Sequence, residues 1–135
     1  MSGLISSAGS KSGVIGYSGD IVDSGSNANG EYIKYSDGTM ICRYHELSTS
    51  ARVSCTVQMY NAGSKYYGNK VYTYPVAFVN TTSITATASA DPSSANCVAS
   101  IEAYPNVSTI NIAVWADRST TTAGYICYVA IGKWK

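Results

Sequence analysis

From Glu31 to the C-terminus the chain runs in a period of two, and that period admits few folds. Residues 52–60 show it most plainly. Val53, Cys55, Val57 and Met59 fall on one side, and Arg52, Ser54, Thr56 and Gln58 on the other. Successive side chains of a β-strand point to opposite faces, so the alternation predicts a strand with one face on a core. The same reading turns inward Ile84, Ala86 and Ala88, then Cys97, Ala99, Ile101 and Ala103, then Ile110, Ile112 and Val114. It sets Cys127, Val129 and Ile131 together on one side of a closing strand over residues 125–135. Asp37-Gly38 separates two β-prone runs, at 31–36 and 39–47, and is a strong hairpin signal because both residues tolerate positive φ. Residues 61–70 read as a polar loop, and Pro75 within 71–79 calls for a sheet edge or a break. Turns follow at 91–94, 105–106 and 117–124. No helical period outlasts a single turn. The expectation is an all-β fold, a compact antiparallel β-sandwich or barrel, whose small inward alanines let two sheets pack closely.

Residues 1–30 depart from this pattern. They hold seven of the twelve glycines, are thick with serine, and carry apolar residues only as isolated pairs: Leu4-Ile5, Val14-Ile15 and Ile21-Val22. Such a stretch buries too little surface to fold alone. It reads as a Gly/Ser-rich N-terminal arm, extended or packed on the domain or on neighbouring subunits, ahead of a sandwich spanning 31–135.

Charge and rare residues exclude whole classes of function. Nine Lys plus Arg stand against eight Asp plus Glu, only 13% of residues are charged, and the formal net charge is +1. That leaves no basic field for nucleic acid. A single histidine, His45, removes most metal sites and most histidine-based catalysis; it reads as a surface residue, and no metal or cofactor is expected. Cys42, Cys55, Cys97 and Cys127 permit two disulfides in three connectivities, yet each lies in an apolar or alternating run, where a reduced thiol behaves as a small buried hydrophobe. The first thirty residues contain no apolar stretch of secretory type, and no segment approaches the ~20 apolar residues of a membrane helix, so no membrane insertion is expected. Glycoside cleavage needs two carboxylates held ~5 to 9.5 Å apart. With Asp37 and Asp91 in turns and Asp20 and Asp23 in the arm, Glu31, Glu46, Glu102 and Asp117 remain, and nothing in the sequence pairs them. The chain therefore reads as a binding module and not as an enzyme.

The aromatic set is lopsided: twelve Tyr, two Trp and one Phe. Tyrosine is a good strand former, and it also joins a flat apolar face to a polar tip, as rigid binding surfaces require. Two segments hold candidate ligand-binding residues. One offers Tyr66 and Tyr67; the other offers Trp115, Asp117 and Arg118, an aromatic face beside charged hydrogen-bonding groups. Trp115 also suits a core or subunit interface, Tyr66 and Tyr67 also suit loop packing, and Trp134 reads as a residue that holds down the C-terminus.

Residues 29–42, Asn-Gly-Glu-Tyr-Ile-Lys-Tyr-Ser-Asp-Gly-Thr-Met-Ile-Cys, resemble the opening of a C-terminal domain common in bacteriophage tail fibres. Residues 74–78, Tyr-Pro-Val-Ala-Phe, and the ending Val-Ala-Ile-Gly-Lys-Trp-Lys at 129–135 are similar to later segments of that domain, in the expected order. The resemblance covers residues 29–135. It implies an H-type lectin-like sandwich, a homotrimer at a fibre tip or virion exterior, made in the host cytoplasm. It further implies attachment to a host surface glycan or other receptor, alongside other virion proteins. No sugar-pocket motif of that family matches residue by residue, so no ligand residues carry over. The alternatives are a structural or decoration protein of the virion without a ligand, a polysaccharide depolymerase, and a free-standing lectin.

Overall fold

The Asp37-Gly38 hairpin forms and aligns the centre of the larger sheet. Gly38 takes a φ of +91°, its N–H donates to Tyr35 O (3.0 Å), and Asp37 Oδ1 accepts from Thr39 N (2.8 Å). A computed structural model of the protein describes residues 19–48, 53–58, 65–92, 96–102, 105–121 and 124–135. The expectations for residues 1–18, Met59 and Ala103 lie outside the described residues.

Every regular element among the described residues is a strand: β1 (Ile21–Asn27), β2 (Gly30–Tyr35), β3 (Thr39–Ser48), β4 (Ser54–Cys55), β5 (Val57–Gln58), β6 (Tyr66–Thr73), β7 (Thr85–Pro92), β8 (Cys97–Ile101), β9 (Thr109–Ala116), β10 (Thr120–Thr121) and β11 (Gly124–Lys133). They form two antiparallel sheets, one of order β1-β2-β3-β11-β7 and one of order β5-β6-β9-β8, with a short β10-β4 ladder. The inner faces meet in one core. Met40, Cys42, Ile126 and Ala130 come from the five-stranded sheet, and Ile110, Ile112 and Val114 from the four-stranded sheet; each is at most 2% exposed. The arrangement is β-sandwich-like. On one side β7 and β8 lie together, Cys97 Sγ donating to Ala90 O (3.7 Å). On the other, Lys70 of β6 reaches Glu46 of β3, its Nζ 3.1 and 3.2 Å from the two carboxylate oxygens.

Four tyrosines line the gap between the sheets. Tyr44, Tyr72 and Tyr128 pack with ring centroids 5.7 to 6.4 Å apart, and Tyr74 meets Tyr128 and, edge-on, Phe78. Burial pushes the Tyr74 phenol up to about 12, and it pushes Tyr72 and Tyr128 higher, with the Glu46 carboxylate adding to the rise at Tyr72. None of the four cysteines is bridged; Cys42 and Cys55 are buried, and burial lifts the Cys42 thiol to about 11. Trp134 is half-buried, its Nε1 donating to Tyr35 O (2.9 Å) and its backbone N to Gly38 O (2.9 Å).

Three segments depart from the expected pattern. The loop expected at 61–70 is strand from Tyr66 onward, because residues 66–73 pair along the whole of β9; the strand ends at Thr73, ahead of Pro75. The alternation of residues 52–60 fails after Cys55. Val53 and Cys55 are buried but Val57 is 56% exposed, since β4 pairs with β10 and β5 with β6. The chain passes so close to β6 here that a Cβ at Gly68 would collide with Ser54 O. In β11 the core takes Ile126, Tyr128 and Ala130, leaving Val129 and Ile131 over 40% exposed on the outer face with Cys127. Apart from these three, residues 21–27, read from sequence as part of an arm extended or packed on the domain or on neighbouring subunits, form the edge strand β1, paired with β2.

Candidate functional site

In β9 the inward positions are Ile110, Ile112, Val114 and Ala116, so Asn111, Ala113 and Trp115 face outward. Strand register then sets Trp115 opposite Tyr67 on one side and Val98 on the other, with Val57 opposite Tyr67. The result is an apolar strip that crosses all four strands. Val57 and Val98 are 56% and 63% exposed at its ends. Between them the Tyr67 and Trp115 rings lie 5.2 Å apart at 33°.

A polar row runs beside the strip. Asn69, Ala113 and Ser100 are in register, and Glu102 follows where Glu102 N donates to Asn111 O (2.9 Å) and prolongs the β8 ladder. Ala113 is wholly buried although it faces outward; its small side chain lets its neighbours close above it. Asn69 Nδ2 donates to Glu102 Oε1 (2.8 Å), Tyr67 OH to Glu102 Oε2 (3.5 Å), and Trp115 Nε1 to Ser100 Oγ (3.3 Å). Both aromatic rings are thus tied to the polar row through their polar tips, which limits their rotation.

Asp117 follows β9 and is held from two sides. Arg118 Nε donates to Oδ1 (3.2 Å) and Asn96 Nδ2 to Oδ2 (3.0 Å); these bonds hold its carboxyl below the ordinary range, Arg118 having the larger effect. Lys65, Asn96, Val98, Trp115 and Asp117 line a notch of about 200 Å³ beside the indole.

Of the residues singled out from sequence, Tyr67 and Trp115 share the strip, while Asp117 and Arg118 pair with each other just past the end of β9, Asp117 lining the notch beside the indole. Tyr66 does not join them: it sits opposite Ala116 and packs against the core. Sequence reasoning missed Asn69 and Ser100, and it weighed Glu102 only as one of four carboxylates open to glycoside cleavage, not as a binding residue. One signal was present, since Val98, Ser100 and Glu102 are the outward set implied by the inward Cys97, Ala99 and Ile101. Asn69 becomes visible only through register.

The four carboxylates left open by sequence are dispersed. Glu31 bonds Arg43 on the outer face of the five-stranded sheet (2.9 Å), and Glu46 bonds Lys70 at the inter-sheet seam (3.1 Å). Glu102 is bonded by Asn69 and Tyr67, and Asp117 by Arg118 and Asn96, so the two share no hydrogen-bond partner. Among the described residues no group of three or more His, Cys, Asp or Glu is placed to hold a metal, and no helix is long and apolar enough to cross a membrane.

The five-stranded sheet also carries apolar residues outside. Ile33, Ile41 and Ile131 form a cross-strand row; Glu31, Arg43 and Val129 form the next; His45, Cys127 and Ser89 form a third, with Cys127 Sγ 2.9 Å from Ser89 Oγ. A hollow of about 440 Å³ lies against Glu31, Arg43, His45, Cys127 and Val129.

No family model, curated protein or solved structure matches the chain.

Proposed function

We propose that the protein is a non-enzymatic adhesin of the phage tail-fibre or virion kind, which binds a host cell-surface receptor, and that this receptor is a glycan. The observation that carries the reading is the Tyr67 and Trp115 strip with hydrogen-bonding groups along its side. A pyranose ring has one apolar C–H face and a rim of hydroxyls. The rings offer the flat apolar surface, while Asn69, Ser100, Glu102 and Asp117 offer partners that the hydroxyls need when they leave water. The likeness of residues 29–42 to fibre-tip domains supports the viral setting, the H-type lectin-like fold and a homotrimer. Three copies turn weak single-site affinity into avidity, because later contacts are intramolecular. The aliphatic row of Ile33, Ile41 and Ile131 suits contact with other copies or other virion proteins.

Binding to intact host bacteria tests the reading. Tyr67→Ala and Trp115→Ala are each expected to cut cell binding at least ten-fold with little change in melting temperature. Cell binding that survives both substitutions overturns the placement of the site. Light scattering on the purified chain is expected to give three times 14.2 kDa, and a monomer overturns the trimer.

A further inference from the structure

We infer that Glu102 selects the ligand at this site, and that the ligand it selects is an uncharged, hydroxyl-rich saccharide and not an acidic one. The inference rests on the glycan reading of the Tyr67 and Trp115 strip and adds a residue and a substrate class to it.

Glu102 stands at the border of the strip, on the same outward set of β8 as Val98 and Ser100. Its two oxygens are aimed by neighbours. Asn69 donates to Oε1, and Tyr67, itself half of the aromatic pair, donates to Oε2. An ionised carboxylate offers about four lone-pair sites, so these two bonds orient the group and leave about two sites to accept from hydroxyls. A saccharide stacked on Tyr67 and Trp115 would present adjacent hydroxyls at its rim, toward that side.

Its partners set Glu102 apart from other carboxylates. Glu31 is bonded to Arg43, Glu46 to Lys70 and Asp117 to Arg118, so each has a cation beside it. Glu102 is held by an amide and a phenol, both neutral, and among the described residues no cation is paired with it. A hydrogen bond to an ionised acceptor is stronger than one between neutral groups, which favours hydroxyl donors. The same charge repels a uronate, sulfate or phosphate brought within a few ångströms. Asp117, with one oxygen on Arg118 and the other on Asn96, is less free to make this discrimination.

The test uses the full chain on immobilised polysaccharides: neutral glucans, galactans and mannans, and uronate-bearing and sulfated polymers. Wild type, Glu102→Gln and Trp115→Ala are compared, with melting temperature recorded for each. Wild type is expected to bind one or more neutral polymers and to bind the acidic ones more weakly. Glu102→Gln keeps the shape and removes the charge. It is expected to lose at least ten-fold on the neutral ligand, to narrow the gap to acidic polymers, and to melt as wild type does. Asn69→Leu, which removes the donor that aims Oε1, is expected to reproduce part of the loss. If Trp115→Ala abolishes binding while Glu102→Gln binds as wild type does, the glycan site stands and Glu102 has no selecting role. If wild type prefers acidic polymers, the neutral class is wrong. If wild type binds none of the polymers, the glycan reading fails and this inference with it.

Discussion

On the four-stranded sheet the outward positions of β6 and β9 hold Tyr67, Asn69, Asn111 and Trp115, whereas on the five-stranded sheet those of β3 and β11 hold Ile41, Arg43, Val129 and Ile131. Both faces expose apolar surface, but they hold it differently. The aromatic pair has polar tips that bond to Glu102 and Ser100, so its geometry is set before any ligand arrives. The isoleucine row has no polar tip, and an ion pair of Glu31 and Arg43 borders it. Apolar atoms on a protein surface are ordinary. A row of them across three strands is matched by another protein surface better than by a ligand rich in hydroxyls. Chemistry, more than hollow size, separates the two faces: the larger hollow is on the side without an exposed aromatic pair.

The largest effect should come from contrasting isoleucines on the inner and outer faces. Ile112→Ala, wholly buried in β9, is expected to cost about 2 to 5 kcal/mol, read as a lower urea midpoint. Ile131→Ala, at 43% exposure, should cost less than about 1 kcal/mol. Equal losses would mean that the outer face of the five-stranded sheet is itself buried in an assembly.

Next in size is the contrast between neighbours in one strand. Tyr66→Ala should lower the melting temperature through lost core packing. Tyr67→Ala should leave melting nearly unchanged and weaken binding by ten-fold, about 1.4 kcal/mol. If the two substitutions exchange effects, the register of β6 against β9 is shifted by one residue.

The smallest effect is read in alkali. Tyr72, Tyr74 and Tyr128 are raised above the ordinary phenol value of 10.0, chiefly by burial. The unfolded chain releases these protons near pH 10 and the folded chain holds them. Their contribution to stability is therefore intact below that pH and declines as pH climbs toward the folded values. Phenolate absorbance should show these three groups ionising late, with unfolding. Ionisation of all twelve tyrosines near pH 10 in a chain that stays folded would show the inter-sheet cluster to be open to water.

Much of the fold was legible in the sequence. Asp37-Gly38 announced its hairpin, and Pro75 its break. The inward sets Ile110, Ile112 and Val114, and Cys97, Ala99 and Ile101, pack in or against the core, as the period of two implies, although apolar Val98 and Trp115 stand among the residues that alternate with them. In β11 the signal was ambiguous. Ile126, Tyr128 and Ala130 are as apolar as Cys127, Val129 and Ile131, so alternation could not say which side faces the core. For the candidate site, Tyr67 and Trp115 were visible as residues, but their contact was not.

The sequence by itself determined that the chain makes short antiparallel strands around one core, since a period of two can be satisfied only by extended backbone with a buried side. Only the tertiary structure decided which outward residues become neighbours. That choice lies in the pairing of β9 with β8, which closely precedes it, and with β6, which lies far earlier in the chain. A slip of one residue would turn Tyr67 inward, Tyr66 outward, and leave Glu102 without the partners that aim it.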